Sequence, residues 1–312
     1  MNRRDREAAE RLSAGLDALD QGPYPLVGAP DADSRQVLID QLIESIHRVR
    51  FMSILSTVKL SDRRCQPGDD LFDPLKAAEF KRRQGEMDEA FWLVFLFVHF
   101  GKNRRGGWRF AREVYGGLSN RALWDWRTVS TDPGAFRQWL DANRAVIERA
   151  GVPGGFGNHR KYENLDPWSP RGTGEAVETY VKWVAPPRTH PELVADASGR
   201  AGGVQHIAFD LLFRSMDVAS FGRTARFDYL TTIGNLGLAP ISPGAAYVAS
   251  ATGPARGARL LFAGSKSAVV RNSDLQSWLT TMSTVLGVGM QVLEDALCNW
   301  QKSPRRFKAF RG

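Results

Sequence analysis

Apolar side chains recur at helical spacing along most of the chain. The clearest example lies between residues 34 and 58, where one face of a helix would carry Val37, Leu38, Leu42, Ile43, Ile46 and Val49. Residues 87–100 are apolar almost all round, which predicts a buried central helix. Further helices are predicted over residues 1–20, 74–83, 108–116, 119–127, 134–150, 175–184, 206–219, 223–236, 243–250, 255–263 and 274–299. Alternating strand patterns are nearly absent, so we predict a mostly α protein.

Breaks in the helical pattern predict the domain organisation. Residues 185–204 are rich in Pro, Gly and Asp, which is typical of a linker. Before it we expect an N-terminal helical region over residues 1–70 and a helical subdomain with the long buried helix over 71–184. After it we expect a second subdomain over residues 205–301 and a basic tail over 302–312.

Composition narrows the class of protein. Of the 312 residues, 43% are hydrophobic and 24% are charged, which is typical of a globular chain. Lysine and arginine number 42 against 34 aspartate and glutamate residues, and the net charge of +8 makes a polyanion a plausible partner. Two cysteines are too few for a disulfide framework or a four-cysteine zinc site, and the five histidines lack metal-binding spacing. We therefore predict no metal and no cofactor.

The distribution of apolar residues also bears on location. The charged start of the chain has no apolar run behind it, unlike a secretory signal. The most apolar run, residues 90–98, is too short to cross a bilayer. We expect a cytoplasmic protein without a membrane partner, and the sequence leaves its oligomeric state open.

Residues 251–261 form a glycine-bearing junction between two predicted short helices. A hairpin at Gly253 would point backbone N–H groups toward a phosphate. The positive charges near it are Arg256, Arg259 and Lys266. A glycine that merely ends one of two packed helices explains the same pattern. The basic loop over residues 102–108 is a second candidate DNA contact, through Arg104 and Arg105.

Asp274 follows Gly253 by 21 residues and stands near a predicted helix start. This order resembles the helix-hairpin-helix DNA glycosylases, in which a catalytic Asp lies at a similar distance beyond the hairpin. The resemblance implies a catalytic role for Asp274 and two helical subdomains that flank a cleft. The superfamily's lyase lysine has no counterpart at residues 255–257, so no Schiff-base step is expected. Helix capping by Ser273 or Asp274 is the other explanation of the acid.

Two segments of the sequence echo each other. Residues 156–163 and 221–228 share Phe-Gly, three further residues, and then a basic, an aromatic and an acidic residue. Such groups could hold a base flipped out of DNA by stacking and by hydrogen bonds to its edge. The candidate substrate-binding residues are Phe156, Asn158, Tyr162, Trp168, Arg223, Arg226 and Asp228, and His159 is a second catalytic candidate. The alternative is that Phe156 and Phe221 fill the core while the ionic groups pair.

Several segments together resemble one known family. They are residues 71–78, 88–102, 124–126, 156–163, 221–230 and 251–262. Their sequences are similar to those of the alpha-glutamyl/putrescinyl thymine pyrophosphorylase family, which is regarded as an offshoot of the helix-hairpin-helix DNA glycosylases. The family is linked to hypermodified pyrimidines in bacteriophage DNA, and some relatives resemble antiphage glycosylases. The resemblance implies modified phage DNA as the partner.

Three functions remain open. The leading one is a DNA glycosylase that excises a hypermodified pyrimidine, such as glucosylated hydroxymethylcytosine or a modified thymine, in antiphage defence. In that reaction Asp274 would stabilise the sugar cation and activate water. The second is a pyrophosphorylase step that builds hypermodified thymine, with pyrophosphate held by Arg104, Arg105, Arg223 and Arg226. The third is a non-catalytic DNA-binding module.

Overall fold

The computed structural model describes residues 3–22, 24–119 and 122–309. Its α-helices are α1 (Arg3–Asp20), α2 (Ala32–Leu55), α3 (Pro74–Arg83), α4 (Met87–Phe100), α5 (Arg109–Tyr115), α6 (Trp126–Thr131), α7 (Pro133–Ile147), α8 (Thr173–Val184), α9 (His190–Arg200), α10 (Gln205–Ser215), α11 (Arg223–Asn235), α12 (Gly253–Ala263), α13 (Asn272–Leu286) and α14 (Met290–Trp300). Within those described ranges the structure contains no β-strand, only two isolated bridges. The prediction of a mostly α protein is confirmed.

The chain divides into two compact units. Unit 1 combines residues 1–52 with residues 243–311, and unit 2 comprises residues 53–242. The N-terminal helices and the last three helices therefore share one unit, although more than 190 residues of sequence separate them. The subdomain boundaries expected from the sequence remain a prediction.

The core of unit 1 is built by the apolar faces of its helices. Its fully buried residues include Leu12, Leu16, Leu38, Leu42, Leu261, Leu279, Leu293 and Trp300. Asp295 of α14 fastens α2 to this core, because its carboxylate accepts hydrogen bonds from Ser45 Oγ at 2.6 Å and from Arg48 Nε at 2.9 Å. Burial of the leucine faces supplies the driving force, and these polar contacts fix the position of α2.

Helix α12 lies unusually close to α14. A Cβ atom on Gly257 would lie 2.4 Å from the carbonyl oxygen of Leu297, and one on Gly253 would lie 2.5 Å from Cys298 Sγ. Real Cβ atoms do not approach other atoms so closely, so the two glycines permit this contact. Helix packing therefore accounts for both glycines of the predicted hairpin.

Unit 2 is organised around α4, whose side chains are buried almost all round as predicted. The Phe95 ring lies at its centre, with ring centroids 5.1 Å from Trp92, 4.2 Å from Tyr180 and 5.0 Å from Phe221. Stacking of this kind adds about 0.5–1.5 kcal/mol per aromatic pair beyond area burial. The aromatic cluster joins α4 to α8 and to the segment that precedes α11.

A chain of hydrogen bonds crosses this aromatic core. His190 lies between Asp88 and Tyr180, with Nδ1 2.6 Å from Asp88 Oδ1 and Nε2 2.7 Å from the Tyr180 hydroxyl. The Tyr180 hydroxyl in turn lies 2.8 Å from that of Tyr229. Every polar group in this buried polar chain has a partner, so it links α4, α9, α8 and α11 without an unsatisfied atom.

The prediction of a linker over residues 185–204 is wrong, because this stretch contains α9. Thr189 caps the helix by accepting a hydrogen bond from the backbone of Glu192, and the Glu192 carboxylate bonds back to the Thr189 N–H. Pro191 stands in the first turn, where the lost N–H would have no helical partner. The Pro and Gly that suggested a linker therefore start and end a helix.

Three predicted helices also differ from the structure. The helix expected over 274–299 is two helices, because Gly287 adopts φ +62° and ends α13. Residues 243–250 contain only a 3₁₀ turn over Val248–Ser250. In the span 119–127, α6 begins at Trp126 after its N-cap Asp125, and residues 120 and 121 lie outside the described ranges.

Candidate functional site

The two Phe-Gly segments of the sequence meet in unit 2 at His99. The His99 ring packs edge-on against Phe156 at 5.7 Å and stacks with Phe221 at 6.2 Å. Phe156 also contacts the rings of Phe100 and Phe110, and Phe221 is buried. Phe221 therefore fills the core, whereas Phe156 packs against it and is only partly buried, so its substrate-binding role stays a prediction.

An ion pair joins the polar parts of the same two segments. Arg160 is buried, and it donates from Nη2 to Asp228 Oδ2 at 3.0 Å and from Nε to the carbonyl of Val98 at 2.8 Å. Arg226 donates instead to the carbonyl of Phe221 at 2.8 Å. The predicted ligand-binding groups Asp228 and Arg226 thus already have partners within the protein.

Arg223 occupies the first position of α11, near the start of the second segment. Its guanidinium carbon lies 4.7 Å from the centroid of the Phe227 ring, one turn further along the helix. This cation–π contact holds the side chain against its own helix. Like Arg226, Arg223 makes an intramolecular contact that fixes its position.

Two exposed aromatic rings lie at the end of the first segment and on the loop that follows it. The Tyr162 side chain is 86% exposed and that of Trp168 is 53% exposed. Lys161 Nζ lies 5.0 Å from the centre of the Tyr162 ring, and Arg137 Cζ lies 5.0 Å from that of Trp168. Two ring faces beside cations are suited to stack on nucleobases, since every base has a π face.

Asn158 and His159 lie in a 3₁₀ turn, Asn158–Arg160, at the start of this loop. Both residues are exposed. Gly157, which precedes them, packs so closely that a Cβ would lie 2.8 Å from the carbonyl carbon of Gly101. The turn that carries His159 is therefore fixed against the end of α4.

Glu163, absent from the predicted site, is the carboxyl group of this region with unusual properties. Burial raises the pKa of Glu163 above its ordinary value, although a hydrogen bond from Ser220 and the charges of Arg160 and Arg171 oppose the shift. Ser220 has φ +62°, a left-handed conformation rare for serine, and donates to the Arg171 carbonyl at 2.8 Å. Backbone of this kind is concentrated at functional sites. The signal in the sequence that could have identified Glu163 was the acidic position that the two Phe-Gly segments share.

The predicted basic loop is a tight turn over residues 102–107. Asn103 and Gly107 exchange both backbone hydrogen bonds, at 2.9 and 3.0 Å. The Asn103 side chain accepts from the N–H groups of Arg105 and Gly106 and donates to the carbonyl of Phe156 at 3.1 Å. Arg104 and Arg105 are exposed at the tip. We call this element the basic turn.

Unit 1 carries the acid predicted to be catalytic. Asp274 lies in the first turn of α13, with 33% of its side chain exposed, and its Oδ2 lies 2.9 Å from Arg271 Nε. The N-cap residue is Arg271, so neither Ser273 nor Asp274 caps the helix. A carboxylate in this position interacts favourably with the helix dipole.

The basic residues predicted beside the hairpin lie on and after α12. Arg256 and Lys266 are exposed, while Arg259 is partly buried and donates to Asn272 Oδ1 at 3.3 Å. Gly253 is the first residue of α12, preceded by Thr252 and the 3₁₀ turn. Arg256 and Lys266 therefore present charge at the surface of unit 1.

Two buried ionisable groups of α4 have structural partners. Burial lowers the pKa of His99 to about 3, and its Nε2 shares a hydrogen bond with Thr173 Oγ1 at 2.9 Å. Glu89 accepts from the Tyr115 hydroxyl and from the Trp126 N–H, each at 2.7 Å. His99 is thus a core histidine with a hydrogen-bond partner.

Two general features bear on possible ligands. Among the helices described, none is both long and apolar enough to span a membrane. In the same part of the chain no group of three or more histidine, cysteine or acidic residues is arranged to hold a metal ion.

Comparison with known proteins assigns the chain to a family. A family model described as alpha-glutamyl/putrescinyl thymine pyrophosphorylase clade 3 matches residues 33–312. No curated protein and no solved structure matches the chain. The match covers nearly the whole sequence and agrees with the resemblance found in its segments. The chain therefore belongs to the alpha-glutamyl/putrescinyl thymine pyrophosphorylase clade 3 family, whose name describes enzymes of modified-thymine metabolism.

Proposed function

We propose that the protein is a DNA N-glycosylase that removes a hypermodified pyrimidine from phage DNA. The observation that carries the proposal is the stretch over residues 162–168, which presents two exposed aromatic rings beside cations and a half-buried carboxyl group of raised pKa. Family membership supports a modified pyrimidine as the target.

The order of elements in unit 1 follows a helix-hairpin-helix only in part, because a 3₁₀ turn stands where its first helix was expected. A 3₁₀ turn, two further residues and α12 are followed by α13, which carries Asp274 in its first turn. The exposed cations Arg256 and Lys266 would contact the DNA backbone, as would Arg104 and Arg105 of the basic turn. These contacts carry no sequence information, so discrimination would come from the flipped base.

The proposed reaction is hydrolysis of the bond between the base and C1′ of deoxyribose. Stacking on Tyr162 and Trp168 would hold the flipped base. A carboxylate would stabilise the developing sugar cation and activate the water whose oxygen bonds to C1′. Asp274 is the candidate for it because of its place in the order of elements of unit 1 alone. The base leaves with the bonding electron pair, and a protonated acid or a nearby cation would stabilise it.

Glu163 is the candidate for that acid because its raised pKa keeps a larger fraction protonated near neutral pH. His159, exposed on the same loop, is the alternative donor. The two assignments are separable, because Glu163→Gln removes the acid while His159→Ala leaves it in place.

The decisive experiment is incubation of the full chain with hypermodified and unmodified phage DNA, followed by mass analysis of released bases. We expect a free modified base and an abasic site from modified DNA only. The variants Asp274→Asn and Glu163→Gln should each slow release by about a hundredfold or more. Asp196→Asn is a matched control, since Asp196 is an exposed residue of α9 outside the proposed site.

Other outcomes would replace the proposal. Release of pyrophosphate from a pyrophosphorylated base would favour the pyrophosphorylase reaction. DNA binding without any product, unchanged in Asp274→Asn and His159→Ala, would favour a binding module.

A cellular assay tests the proposed role in defence. Abasic sites in an infecting genome would block its replication, so expression of the protein should reduce plaque formation by phage with hypermodified DNA. A phage mutant with unmodified DNA should form plaques normally. Equal plaque numbers with the wild-type protein and its inactive variant would contradict this role.

A further inference from the structure

The basic turn, whose Arg104 and Arg105 are proposed DNA-backbone contacts, also forms one wall of a cavity in unit 2 to which the proposed reaction assigns no ligand. Its volume is about 370 Å³, within the range of about 300–1,000 Å³ that small-ligand sites span. The lining includes five cationic residues and two acids, namely Arg64, Lys102, Arg105, Arg109, Arg112, Asp70 and Asp73. A concave surface with this excess of positive charge attracts anions.

Part of this charge is already neutralised. Arg109 donates to Glu113 at 2.7 Å and to two backbone carbonyls. Asp73 caps α3 through the N–H groups of Leu75 and Lys76, and its Oδ2 lies 3.7 Å from Lys76 Nζ. These groups form a fixed wall rather than a ligand contact.

Three cations of the lining have no such partner. In the described part of the chain Arg64, Lys102 and Arg105 make no ion pair and no side-chain hydrogen bond. Arg112 is paired only with Asp70, whose side chain is almost fully exposed and is therefore easily displaced. Unpaired like charges around one cavity repel each other, and a bound anion would relieve this repulsion.

Trp108 adds an independent observation. It lines the same cavity, and its indole N–H is buried without a hydrogen-bond acceptor in the described structure. The ring is held against Phe97, with centroids 5.2 Å apart. Buried donors without acceptors are rare. Because this N–H has almost no accessible surface, an anionic ligand would supply the missing acceptor together with a small shift of the indole ring.

The backbone of the site is rigid before any ligand binds. The Asn103 side chain fixes the basic turn, and Gly106 packs so closely on the neighbouring loop that a Cβ would lie 2.5 Å from Gly154 Cα. Lys102 and Arg105 therefore start from a preorganised turn, which reduces the entropy lost on binding.

We infer that this cavity is a binding site for a phosphate-bearing ligand, with Arg64, Lys102, Arg105 and Arg112 as its cationic contacts and Trp108 as a neutral donor. Guanidinium groups match phosphate oxygens through paired N–H donors, and the Lys102 ammonium adds a point charge. The inference does not depend on base excision, because it concerns an anion bound by the free protein.

Titration of the full chain with inorganic pyrophosphate at low ionic strength tests the site. We expect saturable binding that weakens about tenfold or more in Lys102→Gln and in Arg105→Gln. Arg104→Gln is the matched control, because Arg104 lies beside Arg105 on the same turn but does not line the cavity. Trp108→Phe should also weaken binding, since it keeps a ring and removes the N–H.

Competition identifies the source of the phosphate. Displacement by a 5′-phosphorylated oligonucleotide alone points to a strand end, displacement also by its unphosphorylated counterpart points to the DNA backbone, and displacement by neither points to a free phosphate ligand. The inference is overturned if pyrophosphate does not bind, or if Arg104→Gln weakens binding as much as Arg105→Gln. Unchanged melting temperatures of the variants exclude loss of the fold as the cause.

Discussion

The Arg160 guanidinium lies 3.0 Å from the Asp228 carboxylate and joins two segments that are 68 residues apart in the sequence. The same guanidinium donates to the carbonyl of Val98 in α4. A single buried cation therefore holds the loop of His159 and Tyr162, the end of α4 and the start of α11 in one arrangement.

Removal of the Asp228 charge should loosen this arrangement. Asp228→Asn leaves the buried guanidinium without its anion, and we expect a loss of about 1 kcal/mol in unfolding free energy, limited because the Asp228 side chain is 44% exposed. Urea denaturation measures the change. Asp217→Asn is the control, since Asp217 is fully exposed and lies 3.9 Å from Arg226. Equal losses of unfolding free energy in the two variants would show that the Arg160–Asp228 ion pair contributes no more to stability than an exposed pair.

The contact between Gly253 and Cys298 predicts a rescue. Gly253→Ala should destabilise unit 1 by about 1–3 kcal/mol, because the new methyl group would overlap Cys298 Sγ. Cys298→Ala removes that sulfur and should recover most of the loss in the double variant. Gly257→Ala should have no such remedy, because its methyl group meets the backbone oxygen of Leu297.

A double-mutant cycle of thermal or urea unfolding checks the rescue. DNA binding of the folded double variant separates packing from phosphate contact. If Gly253 acts through packing alone, binding should equal that of the Cys298→Ala single variant.

Glu89 should make stability fall as pH rises from acid to neutral. Burial raises the pKa of Glu89 from its ordinary 4.5 to about 7, so the folded protein holds this proton more tightly than the unfolded chain. The stabilisation is complete below pH 4.5 and is lost as pH rises to about 7, by up to about 3 kcal/mol. Glu89→Gln remains neutral, so the difference between the two stability curves isolates the effect. A pH-independent difference would contradict the prediction.

The buried polar chain has the opposite pH dependence. Burial lowers the pKa of His190 despite its bond to Asp88, so stability from this group is present above pH 6.5 and decreases as pH falls below it. Although burial of the Asp88 carboxylate acts against it, bonding to His190 lowers the pKa of Asp88, which adds a further loss below pH 3.8.

Substitutions in the buried polar chain test its contribution to the free energy of unfolding. His190→Ala removes the imidazole that bridges Asp88 and Tyr180 and should cost about 3 kcal/mol, while Tyr180→Phe should cost about 1 kcal/mol and remain folded. Tyr162→Phe is the control, since that hydroxyl is on an exposed side chain. If Tyr180→Phe and Tyr162→Phe unfold at the same urea concentration, the buried polar chain contributes nothing to stability.

Local signals were sufficient to predict most of the helices. Asp73 followed by Pro74 and Asp132 followed by Pro133 both begin helices with an Asp cap and a Pro in the first turn, and such capping depends only on neighbouring residues. The apolar run of α4 was equally clear. By contrast, the division of the chain into units depends on which helices pack together, and residues 1–52 gave no sign that they would join the C-terminal helices.

Site residues were harder to predict because their properties arise from distant parts of the chain. His190 and Asp88 are 102 residues apart, and their contact leaves no pattern in the sequence. The raised pKa of Glu163 comes from burial beside a segment that begins near Ser220. Spacing did identify the two Phe-Gly segments as related, but it did not indicate that they would meet.

The basic turn owes its shape to Asn103 and to backbone hydrogen bonds, and the side chains of Arg104 and Arg105 play no part in it. Substitution at these two positions therefore alters charge without altering conformation. A spectroscopic label attached at position 104 would report on events at the neighbouring cavity from a defined location. What this turn recognises can therefore be changed by substitution while the surrounding architecture is retained.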